Sequence, residues 1–264
     1  MTGIRFEEVT KAYGSRKVLD RFSMTVHPGE MKIVLGGSGS GKSTILKTVL
    51  GLVKPDTGRV YLGDQDISQM DEKDLLQIRG EIGMVFQSGA LFDSLTVGEN
   101  VAFKLREQRK LSDEIIQKNV EEKLGFVGLQ ETADKMPSDL SGGMRRRVAI
   151  ARSLVGSPKI MLYDEPTAGL DPITGRTICE LVMRLRDLEQ VTSVFVTHDL
   201  SAAKTIARET AKQSQDGTIS FRVRNSEASG STRFVMLSKG AILLEGTEED
   251  LSTTDDKYIR EFLD

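Results

Sequence analysis

Cysteine and histidine are scarce in this sequence, and their scarcity excludes two kinds of site. The 264 residues include one cysteine, Cys179, and two histidines. A single cysteine cannot close a disulfide within the chain, which fits a reducing compartment. So few soft ligands also leave no set that could hold a structural zinc ion. We therefore expect neither a disulfide framework nor a zinc-stabilised fold.

Long apolar runs and a large net charge are also missing. The longest apolar stretches, such as Ile160–Tyr163 and Ala241–Leu244, have the length of a strand, whereas a membrane-spanning helix needs about 20 apolar residues. The polar, acidic start of the chain, Met1–Glu8, has no signal-peptide pattern. The 36 lysines and arginines against 39 acids leave a net charge of −3, which argues against a broad basic face for nucleic acid. These features predict a soluble cytosolic globular protein without a nucleic-acid partner.

Short apolar segments alternate with helical patterns along most of the chain. The predicted strands are Ile4–Val9, Phe22–Val26, Met31–Leu35, Arg59–Leu62, Ile82–Phe86, Ile160–Tyr163 and Thr192–Val196. The predicted helices include one with apolar residues 45, 46, 49 and 50, followed by Glu72–Arg79, about Val97–Gly128, about Gly143–Val155, Gly175–Leu188 and Leu200–Arg208. This β-α-β-α order favours an α/β fold with a mainly parallel sheet. The run of helices at about residues 90–157 indicates a helical subdomain inserted into that core.

The segment Glu209–Arg233 interrupts this order. It is polar, and it ends in the serine-rich run Ser226–Thr232. Within it Ile219, Phe221 and Val223 alternate with polar residues, a pattern typical of a half-buried strand. We expect an irregular hairpin or a partly mobile loop here.

Gly36–Ser43, with the sequence GGSGSGKS, fits the phosphate-loop pattern. It follows a predicted strand and opens a predicted helix. Its glycines let the backbone N–H groups turn toward one anion, and the helix N-terminus adds a favourable dipole. The Lys42 ammonium could then contact the β- and γ-phosphates, and the Ser43 hydroxyl could bind Mg²⁺. The alternative is an ordinary Gly/Ser-rich turn, which this position in the chain disfavours.

Two adjacent acids, Asp164 and Glu165, end the buried strand Ile160–Tyr163. At the carboxyl end of a parallel strand they would lie at the ligand crevice. Asp164 would hold Mg²⁺ through its water shell, and Glu165 would polarise the attacking water. The alternative is a solvated strand end before Pro166, which the phosphate loop makes the weaker interpretation.

The sequence LSGGM at Leu140–Met144, together with the phosphate loop and the two acids, resembles the ATP-binding cassette (ABC) ATPases. Their signature is LSGGQ, so Met144 replaces the usual glutamine, a change expected to affect local packing only. The same residues begin a helix, with Ser141 as its N-cap. Arg145–Arg147 point in different directions around that helix and are expected to be partly surface and partly structural. The resemblance implies a P-loop NTPase fold of ABC type in one domain, residues 1–264. It adds an antiparallel β subdomain to the parallel core and helical subdomain, with a C-terminal tail at about 247–264.

The resemblance also implies the residues of the site, which would bind ATP and Mg²⁺. The nucleotide-binding residues would be Tyr13 and Val18 at the adenine, Gly36, Gly37, Ser38, Gly39, Ser40, Gly41, Lys42, Ser43 and Thr44 in the phosphate loop, and Ser141, Gly142, Gly143 and Asp171 at the subunit contact. The catalytic residues would be Glu165, His198 and Gln87, and the metal ligands Ser43, Gln87 and Asp164. By itself Tyr13 could be a strand-end residue, and His198 could simply cap the helix that follows it.

An ABC site is completed by the signature of a second subunit, so one cassette per chain implies a homodimer. Two classes of ABC ATPase are then possible: the ATPase subunit of a membrane transporter, and a non-transport ATPase that acts on chromosomes or ribosomes. Chromosome-acting members carry a long coiled coil, but Ser141 lies only 99 positions after Lys42 with no heptad array between them. Ribosome-acting members carry two cassettes. The resemblance therefore favours the ATPase subunit of a transporter, bound to a separate membrane permease at the cytoplasmic face of the inner membrane.

The stretch Phe86–Phe103, the methionine of the signature and the ending Tyr258–Leu263 are similar to the Mla/Mce-type lipid transport ATPases. Those systems move phospholipid or other hydrophobic molecules across the envelope of bacteria with two membranes, and they include further subunits. The surface around Leu91, Phe92 and Leu95 would receive a helix of the permease. Two alternatives stay open: Ala90, Leu91, Phe92 and Val101 could be ordinary helix-packing residues, and similar strings occur in ATPases for polar amino acids.

Overall fold

The computed structural model describes residues 2–108, 111–224 and 232–263, and the strands in these ranges form three sheets. The strands are β1 Ile4–Tyr13, β2 Arg16–Val26, β3 Met31–Leu35, β4 Thr57–Leu62, β5 Gln65–Asp66, β6 Ile82–Val85, β7 Ile160–Asp164, β8 Thr192–Thr197, β9 Glu209–Gln213, β10 Ile219–Val223, β11 Thr232–Ser238 and β12 Ala241–Gly246. The α-helices are α1 Lys42–Val49, α2 Glu72–Arg79, α3 Val97–Gln108, α4 Asp113–Phe126, α5 Gly142–Leu154, α6 Pro172–Asp187, α7 Leu200–Arg208, α8 Glu248–Thr253 and α9 Lys257–Leu263. Within the described ranges, none of these helices combines the length and apolarity that crossing a bilayer requires.

The central sheet has six strands in the order β12-β11-β3-β8-β7-β6, parallel except for β12. Its middle strands are buried on both faces, as in β3, where every residue is buried. This explains why they are continuous apolar runs in the sequence. Because the strands are parallel, the carboxyl ends of β3, β6, β7 and β8 meet at one edge of the sheet, where ligands bind in such folds.

An antiparallel sheet, β2-β1-β4-β5, shares one hydrophobic core with α1 and with one face of the central sheet. Its core includes an edge-to-face pair between Phe6 and Phe22, with ring centroids 5.2 Å apart. Strand β1 continues beyond the predicted end at Val9, because its polar last residues pair with β2 as far as Tyr13 opposite Arg16. Cross-strand pairing therefore extends the strand where its own side chains give no apolar signal.

Helices α3, α4 and α5 lie between β6 and β7 in the chain and pack on one another. The prediction of continuous helix from Val97 to Gly128 was wrong, because α3 ends at Gln108 and α4 begins after Ser112, whose backbone is extended. Residues 109–110 lie outside the described ranges. The interruption lets the apolar faces of both helices reach α5, and this packing outweighs the uninterrupted helical pattern.

The segment after α7 differs from the predicted irregular hairpin. Strands β9 and β10 form a regular antiparallel hairpin with five residue pairs, from Ile219 opposite Gln213 to Val223 opposite Glu209. Ile219 and Phe221 pack against the core, but Val223 is 74% exposed, so the predicted half-buried face ends before it. Most of the serine-rich run lies outside the described residues, and its last residue, Thr232, opens β11.

Candidate nucleotide-binding site

The predicted phosphate loop connects β3 to α1, and its glycines are required by close neighbours. Gly41 has φ +114°, and a Cβ there would lie 2.5 Å from the carbonyl oxygen of Val18 on β2. A Cβ on Gly36 would collide with the carbonyl oxygen of Leu237 on β11. Glycine is therefore needed at both positions for the backbone to curl beneath the two strands. The loop therefore has the curled backbone that the predicted phosphate site requires.

Lys42 opens α1, and its side chain folds back over the loop. Its Nζ donates hydrogen bonds to the carbonyl oxygens of Gly36 (2.6 Å) and Gly37 (3.1 Å). The same ammonium lies 3.7 Å from Oε1 of Glu165, and both side chains are about nine-tenths buried. The structure thus brings the predicted phosphate-binding cation next to the predicted catalytic acid.

Asp164 ends β7 opposite the first turn of α1, and its Oδ1 accepts a hydrogen bond of 3.0 Å from the Ser43 hydroxyl. Burial raises the pKa of Asp164 above its ordinary value, although the Ser43 hydrogen bond acts in the opposite direction. The charge of Glu165 raises the pKa further. A partly buried carboxylate with a neighbouring acid favours a cation in front of it.

Glu165 follows β7 with a positive φ of 51°, which is uncommon for a residue other than glycine. Its Oε2 accepts hydrogen bonds from the Thr197 hydroxyl and the His198 backbone N–H, each 3.2 Å long. Nδ1 of His198 lies 2.8 Å from the same oxygen. The ends of β7 and β8 therefore fix the carboxylate, while the His198 side chain is 61% exposed and faces outward.

The donor set fits Mg²⁺, which takes oxygen ligands and usually combines one or two protein groups with waters and substrate phosphates. Ser43 and Asp164 supply a hydroxyl and a carboxylate in contact. Gln87 follows β6, which pairs in parallel with β7, and its side chain is exposed at the same edge of the sheet. Across the described ranges, no group of three or more His, Cys, Asp or Glu residues forms a separate metal cage.

The predicted adenine-binding residues lie on the hairpin of β1 and β2. Tyr13 is 53% exposed, and the Lys11 ammonium lies 5.7 Å from the centroid of its ring. Val18 is half-buried on β2. Sequence reasoning missed Arg16, whose guanidinium donates a 2.8 Å hydrogen bond to the carbonyl oxygen of Gly39. This bond ties the hairpin to the phosphate loop.

The signature segment begins α5, where the Ser141 hydroxyl accepts a 3.2 Å hydrogen bond from the Met144 N–H. A Cβ on Gly143 would collide with the methyl group of Thr174 on α6, so glycine is needed for this helix packing. Asp171 caps α6 and accepts hydrogen bonds from the backbone N–H groups of residues 173 and 174. The hydrogen bonds with Thr174, and to a smaller extent the one with Ile173, lower the pKa of its carboxyl. Among the described residues, no hydrogen bond or ion pair joins Ser141–Gly143 to the phosphate loop.

Arg146 is a further residue whose position sequence reasoning did not identify. It is 8% exposed, and its guanidinium donates to the carbonyl oxygens of Glu165 (3.1 Å), Pro166 (3.1 Å) and Ala168 (3.0 Å). Its neighbours in the sequence bond elsewhere, Arg145 to Leu140 and Arg147 to the turn at residues 127–128. The sequence does contain a signal for its burial: Arg146 lies four residues before Ile150, and both are on the buried face of α5. Arg146 joins the signature helix to the loop that carries Glu165.

Comparison with known proteins gives the family. Residues 19–168 match the ABC transporter family. The chain is 33% identical over 261 residues to the intermembrane phospholipid transport system ATP-binding protein MlaF of Escherichia coli, covering 99% of this chain and 88% of that protein. It is 35% identical over 260 residues to the probable ribonucleotide transport ATP-binding protein mkl of Mycobacterium tuberculosis, covering 98% of this chain. The chain spans 66% of the length of mkl.

Solved structures of ATP-binding cassettes are similar to this chain, in agreement with the family match. A dimeric ATP-binding cassette, MJ0796, in a post-hydrolysis state with ADP and phosphate, has a TM-score of 0.78 and 33% identity, covering 92% of this chain and 98% of that chain. The cassette cbiO1 from Clostridium perfringens has the same TM-score with 28% identity, covering 98% of this chain and 93% of that chain. With the family match over more than half of the sequence, the chain belongs to the ABC transporter family.

Proposed function

We propose that this chain is the ATP-hydrolysing subunit of a transporter that moves phospholipid or another hydrophobic molecule across a bacterial envelope. It acts as a homodimer bound to a membrane permease at the cytoplasmic face of the inner membrane, with further subunits of the lipid-transport complex. The observation that carries the catalytic part is the position of Glu165, which lies between Lys42 and His198 at the carboxyl edge of the parallel sheet.

The phosphate loop would bind the triphosphate of ATP through its backbone N–H groups and the N-terminus of α1. Lys42 now contacts the carbonyl oxygens of Gly36 and Gly37, and it would exchange them for phosphate oxygens when ATP binds. Mg²⁺, held by Ser43, Asp164 and Gln87, would neutralise charge on the β- and γ-phosphates. Tyr13 is exposed at the edge of this site and offers a ring face for the adenine.

Glu165 would polarise the water that attacks the γ-phosphate. Its Oε2 is already occupied by Thr197 and His198, which keeps the carboxylate oriented. Its Oε1 lies 3.7 Å from the ammonium of Lys42 and accepts no hydrogen bond from the residues that the structure describes. Once Lys42 turns to the phosphates, Oε1 can accept the proton of a water molecule. His198 can then contact the γ-phosphate from the exposed side of the site.

Completion of the site by a second copy rests on the signature. Ser141–Gly143 lie at the N-terminus of α5, where backbone N–H groups favour an anion. Within the described ranges they make no hydrogen bond to the phosphate loop of their own chain. We therefore expect them to contact ATP that is bound to the phosphate loop of a second chain. The similar cassette with ADP and phosphate is dimeric, which supports the same arrangement here.

An apolar groove supports attachment to a permease. Phe92 and Phe103 are 43% and 39% exposed, with ring centroids 4.6 Å apart, and they line a groove of about 340 Å³. Arg152 lies over the Phe92 ring and donates hydrogen bonds to the carbonyl oxygens of Gly89 and Ala90. Gln87, a proposed ligand of Mg²⁺, lies two residues before Gly89 in the same loop. Movement of Gln87 on nucleotide binding would therefore be transmitted to a permease helix in the groove.

The lipid substrate is supported by the relatives named MlaF, of which the Escherichia coli protein matches 99% of this chain. A second MlaF protein, from Haemophilus influenzae, is 39% identical over 204 residues, covering 77% of each chain. The alternative is a polar substrate, which the name of mkl as a probable ribonucleotide transport protein favours. The two are separated by purifying the chain with its native membrane partner and identifying the bound lipid or nucleotide by mass spectrometry. Enriched phospholipid supports the proposal, and enriched nucleotide other than ATP or ADP supports the alternative.

Truncation of Phe92 tests the attachment itself. We expect Phe92→Ala to weaken co-purification of the permease about fivefold or more, since one buried apolar anchor contributes on the order of 1–3 kcal/mol. ATP affinity and melting temperature should stay near wild type because the phosphate loop is untouched and Phe92 lies at the surface, 43% exposed. Leu76→Ala on α2 is the matched control, since Leu76 is 61% exposed outside the groove. If Phe92→Ala lowers the melting temperature clearly, the side chain belongs to the helical packing instead.

A further inference from the structure

The C-terminal tail is part of the folded core. Helix α8 begins with a capping box between Thr247 and Asp250, and Ile259 of α9 is fully buried. The ring of Tyr258 stacks on Phe262 with centroids 6.4 Å apart, and both pack against the core. The position of Tyr258 is therefore set by packing on both sides of it.

Tyr258 reaches the phosphate loop with its hydroxyl. The N–H of Gly37 donates a 3.2 Å hydrogen bond to the Tyr258 oxygen, across 221 positions of sequence. The carbonyl of the same peptide unit belongs to Gly36, and it accepts the 2.6 Å hydrogen bond from Lys42. One peptide unit is thus held at its N–H by the C-terminal helix and at its carbonyl by the phosphate-binding lysine.

A peptide between two glycines turns easily, because neither residue has a Cβ to restrict it. The Lys42 bond cannot hold this peptide once the ammonium moves to phosphate, whereas the Tyr258 bond is independent of the nucleotide. While both bonds are present, the charge of Lys42 polarises the peptide and strengthens the N–H as a donor. The hydroxyl therefore keeps the start of the loop in one orientation before and after binding.

We propose that Tyr258 is a positioning residue for ATP: it orders the Gly36–Gly37 peptide, so that part of the affinity of the phosphate loop comes from the C-terminal helix. This inference rests on the proposed role of the loop in binding ATP. It adds a residue far from the loop in sequence, in the ending Tyr258–Leu263 that the catalytic scheme leaves unused.

The test compares Tyr258→Phe with Tyr61→Phe. The first variant removes only the hydroxyl that accepts from Gly37, and the ring can still stack on Phe262. The control removes the hydroxyl of Tyr61 on β4, which contacts Arg59 in the antiparallel sheet. We expect Tyr258→Phe to raise the Kd for ATP about threefold to tenfold, the range of one neutral hydrogen bond. The turnover rate at saturating ATP and the melting temperature should stay near wild type, and the control should match wild type throughout.

Amide hydrogen exchange in the absence of nucleotide tests the contact separately. We expect faster exchange in the peptide covering Gly36–Ser43 in Tyr258→Phe and no change in the control. An unchanged Kd, or an increase in Kd matched by a general loss of melting temperature, overturns the proposal. Wild-type protein that binds no ATP overturns the proposed function and the affinity effect together, whereas an unchanged exchange rate overturns the positioning contact alone.

Discussion

Asp164 and Glu165 are adjacent in the sequence, yet their surroundings give them different chemistry. Asp164 ends a strand beside the Ser43 hydroxyl, where burial raises the pKa of its carboxyl and a bound cation would offset the cost of its charge. Glu165 turns away through its positive φ and meets Lys42 on one oxygen and His198 on the other. The change in backbone direction between neighbouring residues separates the proposed metal ligand from the proposed base.

Glu165→Gln tests this division at the residue scale. The amide keeps the size of the side chain but cannot accept a proton, so we expect ATP turnover to fall by at least about 100-fold. ATP binding should persist because Lys42 and the loop glycines are unchanged, and ATP should then trap a dimer that size-exclusion chromatography detects. Glu81→Gln, which alters an acid 52% exposed to solvent, provides the control. Turnover at the wild-type rate in Glu165→Gln would exclude the proposed role.

At the scale of elements, the hairpin of β9 and β10 is fastened to α6 by buried charges. Arg186, whose side chain is fully buried, pairs through two hydrogen bonds with Asp187, and it also donates to the carbonyl oxygens of Ile206 and Glu209. Asp187 accepts further hydrogen bonds from Arg224, beyond β10, and from the backbone of β9. Burial would raise the pKa of Asp187, but its hydrogen bonds and the charge of Arg186 outweigh burial, and the pKa lies below its ordinary value.

Removal of the Asp187 charge should therefore destabilise the protein. We expect Asp187→Asn to lower the free energy of unfolding in urea by about 3 kcal/mol, because buried guanidinium groups lose their anion. Since the pKa is depressed in the folded state, this stabilisation is present above the ordinary aspartate pKa of about 3.9 and is lost as pH falls through the folded pKa. The difference between variant and wild type should accordingly shrink below about pH 4.

The matched control for Asp187→Asn is again the exposed pair of Glu81 and Lys159, both 52% exposed. Glu81→Gln should cost less than about 1 kcal/mol, as is usual for surface ion pairs. An Asp187→Asn variant as stable as Glu81→Gln would mean that packing of Ile219 and Phe221, rather than the charges, holds the hairpin.

At the scale of the whole molecule, the proposed dimer would join the phosphate loop of one chain to Ser141–Gly143 of the other, and this assembly can be tested. Mixing Ser141→Arg protein with Lys42→Ala protein should form mixed dimers that contain one intact composite site and one damaged twice. Each parent alone has two damaged sites. We therefore expect ATPase activity in the mixture above that of either parent, measured after subunit exchange.

Absence of recovery in the mixture would contradict independent composite sites. Cross-linking between the Asp171 loops of two chains would then show whether the dimer forms and needs both sites at once. No cross-link in the presence of ATP would exclude the proposed dimer.

The sequence by itself determined the local features, because each is written in neighbouring residues. The strand Met31–Leu35 and the helices Glu72–Arg79 and Leu200–Arg208 were predicted with their observed bounds. The Gly36–Ser43 loop, the acids after Ile160–Tyr163 and the Leu140–Met144 signature were also recognised from contiguous patterns, and together they led to the family that the comparisons confirmed.

Only the tertiary structure decided what depends on residues far apart in the chain. The contact of Tyr258 with Gly37 spans 221 positions, and the bonds of Arg16 to Gly39 and of Arg146 to the carbonyl oxygen of Glu165 join different elements. The break between α3 and α4 likewise depends on α5, against which both helices pack. A local pattern specifies which face of an element is apolar, but the partner that covers this face, and the backbone groups that a side chain reaches, are fixed only when the sheets and helices pack together.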